Sequence, residues 1–213
     1  MLNCYKWHEI EKVPQRPGIY SWYLKLHISQ ADIEDIVNQV KVMKEESTEE
    51  AIKIIEAFIL KFILNPFKEE PYEVSIKGKL KPKYSGLVHN QQNEMSETLI
   101  IKILDDPDIL YDLVNIISDV SPYFNSPLYI GMAKNLKQRL YQHKSNIIKL
   151  KENNTEINID LKNDAGFARQ VVGRNMNYAN LFVHVAYCDT NNLDPNILEN
   201  ILNRINYPIF GRN

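Results

Sequence analysis

Two short segments near the ends of the chain, each typical of a β-strand, most constrain its fold. Residues 19–26 follow a Pro-Gly turn signal and are rich in aromatic and aliphatic side chains. Residues 128–130 are also aliphatic and aromatic and are predicted to form a second, short strand. Tyr20 in the first strand and Tyr129 in the second lie 109 positions apart. Residues 181–187 form the clearest strand pattern in the chain. The sequence therefore predicts a small sheet built from both ends of the chain.

The segment between the first two strands differs in charge from the rest of the chain. Residues 26–125 carry ten basic and eighteen acidic side chains, whereas the two ends together carry fifteen basic and nine acidic ones. Such an asymmetry favours two parts with different roles. A well-solvated helical surface explains the acidic middle equally well.

Apolar residues recur at helical spacing through much of this middle segment, and residues 72–88 have the pattern of a hairpin. We therefore predict a discontinuous core formed by residues 1–26 and 126–213. Residues 27–125 are predicted to form an inserted, mainly helical subdomain with a hairpin. Loop-closure entropy grows only slowly with loop length, so a self-folding insertion at this point is tolerable.

Two helices are predicted after the second strand. Asn135 is placed to cap the first, with Gln138 at the capping-box position. Asp194 is placed to cap the second, and Pro208 ends it. The predicted buried stripe of this last helix consists of Ile197, Leu198, Ile201, Leu202 and Ile205. Glu199 lies off that stripe, as a surface glutamate would.

The overall composition is that of an ordinary globular protein. Hydrophobic residues make up 44% and charged residues 24%, with a formal net charge of -2. Cys4 and Cys188 lack the neighbours of a zinc site or a disulfide framework, so reduced thiols in a cytoplasmic protein are expected. No secretory signal and no membrane-spanning segment are expected from the sequence.

The tripeptides Gly18-Ile19-Tyr20 and Tyr129-Ile130-Gly131 are followed by Arg139, by His143 one helical turn later, and by Glu199 on the last helix. In this order the chain resembles the GIY-YIG nuclease family. The resemblance covers about half of the chain, its two ends. It departs from the family in spacing, because family members join the two tripeptides by a short turn.

The resemblance implies an α/β (α+β) core in which helices flank a small three-stranded sheet of mixed or antiparallel strands. It also implies roles for particular residues. Tyr20 would act as base or water-orienter, Tyr129 as phosphate or water contact, Arg139 as electrostatic clamp, His143 as orienter and Glu199 as ligand of Mg²⁺ or Mn²⁺. Supporting positions are Gly18, Gly131 and Asn213.

These residue types suit attack on a phosphodiester. An Arg fork binds phosphate, an imidazole relays a proton near neutral pH, and a carboxylate is a hard ligand for Mg²⁺. Each residue alone is also explained as an ordinary strand aromatic or a solvated helix residue. The set in this order favours the catalytic interpretation.

Further basic residues are candidates for nucleic-acid contact. They are Lys134, Lys137, Arg169, Arg174 and the alternating Lys77, Lys79, Lys81 and Lys83. The alternating lysines would share one strand face, where they either track a phosphate backbone or protect an edge strand from pairing. For the two arginines a solvated helix face is the competing explanation.

The sequence thus predicts a metal-dependent endonuclease acting on DNA, with RNA still open as a substrate, in a restriction, repair, mobile-element or defence setting. The alternative is a binding or interaction module with the same fold and little or no turnover. In that case the acidic insert would bind a protein partner or mediate self-association.

Overall fold

Four antiparallel strands form the central sheet of the protein, in the order β1-β6-β2-β5. The computed structural model describes residues 2–68, 72–76, 84–88, 95–152, 166–188 and 195–210. Within them the strands are β1 (Leu2–Lys6), β2 (Gly18–Leu24), β3 (Tyr72–Ile76), β4 (Tyr84–Val88), β5 (Tyr129–Ala133) and β6 (Leu181–Tyr187). The mixed α/β class is confirmed. The three-stranded sheet is corrected to four strands, because β1 pairs with β6 along its whole length.

The described α-helices lie in the middle segment and after β5, where helices were predicted. They are α1 (Gln30–Glu46), α2 (Thr48–Ile59), α3 (Glu97–Asp105), α4 (Ile109–Phe124), α5 (Leu136–Glu152), α6 (Gly166–Gly173) and α7 (Pro195–Asn206). Short 3-10 helices cover Trp7–Lys12 and Tyr178–Asn180, and a π-helical turn, Leu60–Leu64, continues α2. The predicted hairpin forms, with β3 antiparallel to β4. None of the described helices has the length and apolar character needed to cross a membrane.

One face of the sheet carries the larger buried cluster. Tyr20, Trp22 and Leu24 alternate along β2 and point to this face, where Val183 and Val185 of β6 lie beside them. The helices α5 and α6 cover it with side chains that are almost fully buried: Leu136, Leu140, His143, Ile147, Phe167 and Val171. The buried members of this cluster all come from residues 7–26 and 128–209.

A second buried cluster lies entirely within residues 28–114 and joins α1, α2, α3 and α4. Its fully buried members include Val40, Ala51, Ile55, Ile103 and Leu110. The end of α4 is tied to the end of β2, since Ser121 Oγ accepts a hydrogen bond from Leu26 N and Ser118 Oγ donates one to Leu26 O. The chain therefore leaves the sheet after β2 and returns beside it at β5.

Gly18 opens β2 where no side chain fits. A Cβ built there would lie 2.3 Å from the carbonyl oxygen of Ala186 and 2.7 Å from Leu136 Cδ1. Both distances are much shorter than a van der Waals contact. Glycine is therefore required at this position for β2 to approach β6 and the start of α5.

Candidate active site

The two tripeptides that lie 109 positions apart in sequence meet at one point of the sheet. In the β2–β5 pairing Tyr20 lies opposite Gly131 and Trp22 lies opposite Tyr129. A Cβ on Gly131 would lie 2.6 Å from Tyr20 Oη and 2.8 Å from Tyr129 Cε1. The tyrosine rings, 6.1 Å apart between centroids, therefore occupy the space that a side chain at Gly131 would fill.

The Tyr20 hydroxyl is the centre of a buried polar cluster. It is hydrogen-bonded to His143 Nε2 at 2.8 Å and accepts from Arg139 Nε at 3.4 Å. It also interacts with the Tyr129 hydroxyl. Tyr20 and His143 are each 1% exposed. His143, Arg139 and Tyr129 thus surround the hydroxyl of Tyr20. All four residues were proposed as catalytic from the sequence.

The helix α5 places two of these residues. Asn135 Oδ1 accepts a hydrogen bond from Gln138 N, which confirms the predicted cap and fixes where the helix begins. Arg139 and His143 follow on one face, separated by one turn. The His143 ring packs edge-on against Phe167 at 5.3 Å, so its orientation is set by aromatic neighbours as well as by Tyr20.

The electrostatics of the cluster keep Tyr20 protonated. Burial is the main cause of a pKa of the Tyr20 phenol well above its ordinary range, and the neighbouring Tyr129 raises it further. The Arg139 guanidinium acts in the opposite direction but does not offset the burial. At neutral pH Tyr20 is therefore a hydroxyl that can donate one hydrogen bond and accept others.

The orientation of α7 differs from the prediction. Ile197, Ile201 and Ile205 are 55%, 48% and 67% exposed, so three of the five residues of the predicted buried stripe face outward, and the prediction is wrong for them. The face toward β5 and β2 instead carries the half-buried Glu199, the buried Asn203 and the half-buried Leu198 and Leu202. The helix thus turns its polar residues toward the sheet.

This orientation brings Glu199 to Arg139. Burial raises the pKa of the Glu199 carboxyl above its usual value, and the Arg139 guanidinium is the group that counteracts it. The two charged groups are therefore within electrostatic reach of each other. The structure brings together five of the predicted site residues, which are Tyr20, Tyr129, Arg139, His143 and Glu199.

Asn203 is a polar residue of this site that the sequence analysis did not select. It is 7% exposed, and its Oδ1 has no hydrogen-bond partner among the described residues. It lies one turn after Glu199 on the same helix face. The sequence signal that could have selected Asn203 was its polar side chain four positions after Glu199, the proposed metal ligand. Gln142 was also missed, and its Oε1 accepts a hydrogen bond from the Arg139 guanidinium at 3.1 Å.

The donor set fits a hard divalent cation with few protein ligands. Within the described part of the chain, no group of three or more His, Cys, Asp and Glu side chains could hold a metal. Glu199 offers a carboxylate and Asn203 an unsatisfied amide oxygen on one helix face. Mg²⁺ commonly binds through one or two protein oxygens and fills its remaining positions with water and substrate phosphate.

The predicted basic contacts lie in several places. Lys134 is exposed at the turn after β5, Lys137 is half-buried in the first turn of α5, and Arg169 is half-buried in α6. Arg174 has structural partners: Gln170 Oε1 at 3.2 Å, the Phe210 ring at 5.0 Å and the backbone oxygen of Lys68. The remaining predicted residues lie outside the described residues: Lys77, Lys79, Lys81, Lys83 and Asn213.

Comparison with protein families, with curated proteins and with solved structures found no match to this chain in any of the three.

Proposed function

We propose that the protein is a metal-dependent endonuclease that hydrolyses phosphodiester bonds, most naturally in DNA, with a site of the GIY-YIG type. One observation carries the proposal. The hydroxyl of Tyr20 joins His143 Nε2 and Arg139 Nε, and Arg139 in turn is within electrostatic reach of Glu199. Arg139 would act as the phosphate clamp and Glu199 as the metal ligand. The proton relay formed by Tyr20 and His143 would lie close to both.

The exposed side of this arrangement suits a phosphate substrate. Arg139 and Glu199 are half-buried, whereas Tyr20 and His143 lie beneath the surface. Arg139 would bind the phosphoryl oxygens, and its position is fixed from below by Tyr20 and from the side by Gln142. A Mg²⁺ or Mn²⁺ ion bound at Glu199, with Asn203 close by, would stabilise the developing negative charge and lower the pKa of water.

The buried pair supplies a path for a proton. As the water oxygen forms its bond to phosphorus, the water proton passes to Tyr20 Oη. The ester P–O bond breaks, its electron pair leaves with the ester oxygen, and that oxygen takes a proton from bulk water. The proton that Tyr20 held passes to His143 Nε2, which already lies 2.8 Å away. Tyr20 therefore needs no ionisation beforehand, which agrees with its raised pKa.

The orientation of α7 favours an enzyme over a binding module without turnover. A carboxylate placed beside bound phosphates repels them unless a cation intervenes. The helix α7 half-buries Glu199 and buries Asn203, whereas three of its isoleucines are exposed. It therefore buries less hydrophobic surface than its sequence would allow. Such local conflicts between pattern and fold are expected at functional sites.

The proposal also covers the biological process in which the enzyme acts and the role of the insert. We propose a cytoplasmic enzyme that acts in restriction, repair, mobile-element or defence processes. The insert, whose helices form their own buried cluster within residues 28–114, would supply target choice or contact with a protein partner or a second copy.

The decisive test is cleavage of supercoiled plasmid DNA with Mg²⁺ or Mn²⁺. We expect nicking by the wild type and a loss of at least about a hundredfold in Glu199→Gln, because a metal ligand is removed. DNA binding should be retained. Glu45→Gln, at an exposed position on α1, is the matched control and should cleave normally. Absence of cleavage by the wild type with either metal, on both DNA and RNA, would contradict the proposal.

A further inference from the structure

A cavity lies on the face of the sheet that points away from Tyr20 and the candidate active site. Phe182 and His184 line it, and along β6 they alternate with Val183 and Val185, which face the buried cluster of the candidate active site. The cavity has a volume of about 400 Å³. It is bounded by β1, by the end of β2, by the last turn of α4 and by the short helix before β6.

The charge of this cavity is positive. Lys6, Lys25 and His8 line it, all three are exposed, and no acidic side chain is among the described residues that line it. Neither lysine forms an ion pair within the described part of the chain. Glu9 lies nearby, but Lys12 pairs with its carboxylate and the backbone N–H of Lys6 donates to it. The cavity is thus suited to an anion.

The walls of the cavity are aromatic. Tyr123 lines the cavity with its ring 84% exposed, so the ring is free to contact a ligand. Phe182 is only 8% exposed; it stacks on Tyr23 at 5.4 Å and contacts the His184 ring at 5.5 Å, so it forms the floor of the cavity and presents its remaining surface to it. Burial lowers the pKa of His184, which leaves its ring neutral and apolar in character. Rings held in this way are platforms on which another planar ring can stack.

One hydrogen-bonding side chain completes the lining. Asn180 is the last residue of the short helix that leads into β6, and its carbonyl oxygen accepts a hydrogen bond from Lys25 N at 3.0 Å. Its side-chain amide carries both a donor and an acceptor, the combination that can read the polar edge of a nucleobase.

We propose that this cavity binds a nucleotide, with the base against Tyr123 and Phe182 and the phosphate toward Lys6 and Lys25. The volume is within the range of small-ligand sites. Stacking on aromatic side chains together with cationic groups for the phosphate is the recognition chemistry of nucleotides, free or in a single strand. The site is separate from the candidate active site, and its occupancy does not depend on hydrolysis.

Cys4 lines the cavity and reports on its occupancy. The experiment measures alkylation of the full chain by N-ethylmaleimide, with mass spectrometry to separate Cys4 from Cys188, which is outside the cavity and serves as the internal control. No divalent metal is added. We expect AMP to protect Cys4 and to leave Cys188 unchanged. Adenosine and inorganic phosphate should each protect about tenfold less effectively, because each lacks one half of the recognised group.

Two pairs of variants test the geometry. Tyr123→Ala should weaken protection by about tenfold, whereas Phe124→Ala, at a neighbouring ring that is 83% exposed but outside the cavity, should not. Lys25→Gln should weaken protection, and Lys53→Gln on α2 should not. A short oligothymidylate distinguishes the source: better protection than AMP indicates a single strand, and poorer protection indicates a free nucleotide.

The inference is overturned if neither AMP nor the oligonucleotide protects Cys4. It is equally overturned if inorganic phosphate protects as well as AMP, or if Phe124→Ala has the same effect as Tyr123→Ala. Glu199→Gln should bind AMP as the wild type does, so a failure of the proposed nuclease and a failure of this site give different results.

Discussion

The hydroxyl of Tyr20 and Nε2 of His143 lie 2.8 Å apart, although 123 positions separate the two residues in sequence. The contact joins β2 to α5, the helix that follows the second tripeptide. Both side chains are almost fully buried, so loss of this hydrogen bond would leave a buried polar atom without a partner. The pair is therefore a structural link of the fold as well as a candidate proton path.

Tyr20→Phe removes the hydroxyl and leaves His143 Nε2 without this partner. Because an unsatisfied buried polar group is costly, we expect the free energy of unfolding to fall by about 1–3 kcal/mol. Cleavage should fall by about a hundredfold or more, measured at saturating metal. Urea denaturation and single-turnover cleavage are the two measurements. Tyr141→Phe, on the exposed side of α5, is the control. Unchanged cleavage would remove Tyr20 from the proposed relay.

Gly131→Ala tests the space shared by the two tyrosines. The added Cβ would lie 2.6 Å from Tyr20 Oη, so the ring must move away from His143 and Arg139. We expect a loss of about 1–3 kcal/mol in stability from overpacking, together with a loss of cleavage. Gly166→Ala is the matched control, because nothing lies within 4 Å of its Cβ position. Equal behaviour of the two variants would contradict this account of Gly131.

Arg139→Lys keeps the positive charge but removes the planar guanidinium. Nε donates to Tyr20 and another nitrogen donates to Gln142, and an ammonium group cannot reproduce both contacts with the same geometry. We expect the rate of the chemical step to fall by about a hundredfold, with little change in DNA affinity. Arg204→Lys, on the exposed side of α7, should cleave normally. A loss of DNA affinity with an unchanged rate of the chemical step would indicate a role in DNA affinity alone.

Much of the fold could be predicted from periodicity. The alternation in β6 and the cap of α5 at Asn135 are local signals, and both are confirmed. The strand β1 was missed because Leu2–Lys6 has no strong apolar alternation and lies half exposed at a sheet edge. Its pairing with β6 is a long-range contact that local patterns do not encode.

The face of α7 could not be predicted, and the reason is physical. Hydrophobicity alone places isoleucines inward, which is correct for a helix that only packs. Here Glu199 and Asn203 face the sheet, and Ile197 remains 55% exposed. The convergence of the two tripeptides was anticipated from the resemblance, whereas the amide of Asn203 carries no motif that would have selected it.

Glu199 should show its raised pKa as a dependence of stability on pH. Because its pKa is raised in the folded protein, the neutral carboxyl contributes stability below the ordinary pKa of Glu, and this stability is lost as the pH rises through the raised value. Glu199→Gln, which stays neutral, should therefore melt at the same temperature as the wild type at low pH and at a higher one at neutral pH. Thermal melts at a series of pH values measure this, and Glu45→Gln should show no such divergence. Added Mg²⁺ should narrow the difference at neutral pH, because it stabilises only the wild type. A lower melting temperature of Glu199→Gln at neutral pH would contradict the burial of a charged carboxylate.

Asn203→Leu separates the needs of folding from those of the proposed site. The substitution replaces a buried amide, whose Oδ1 has no hydrogen-bond partner within the described residues, by an apolar side chain of similar size. We expect the free energy of unfolding to rise by about 1 kcal/mol, because a desolvated polar group is removed. Cleavage should nevertheless fall by about tenfold, with a higher Mg²⁺ requirement, because an oxygen beside the metal ligand is lost. Asn200→Leu, on the outward face of the same helix, is the control and should leave the Mg²⁺ requirement unchanged. A destabilised Asn203→Leu variant with normal metal dependence would show that the amide serves the packing of α7 and not the site.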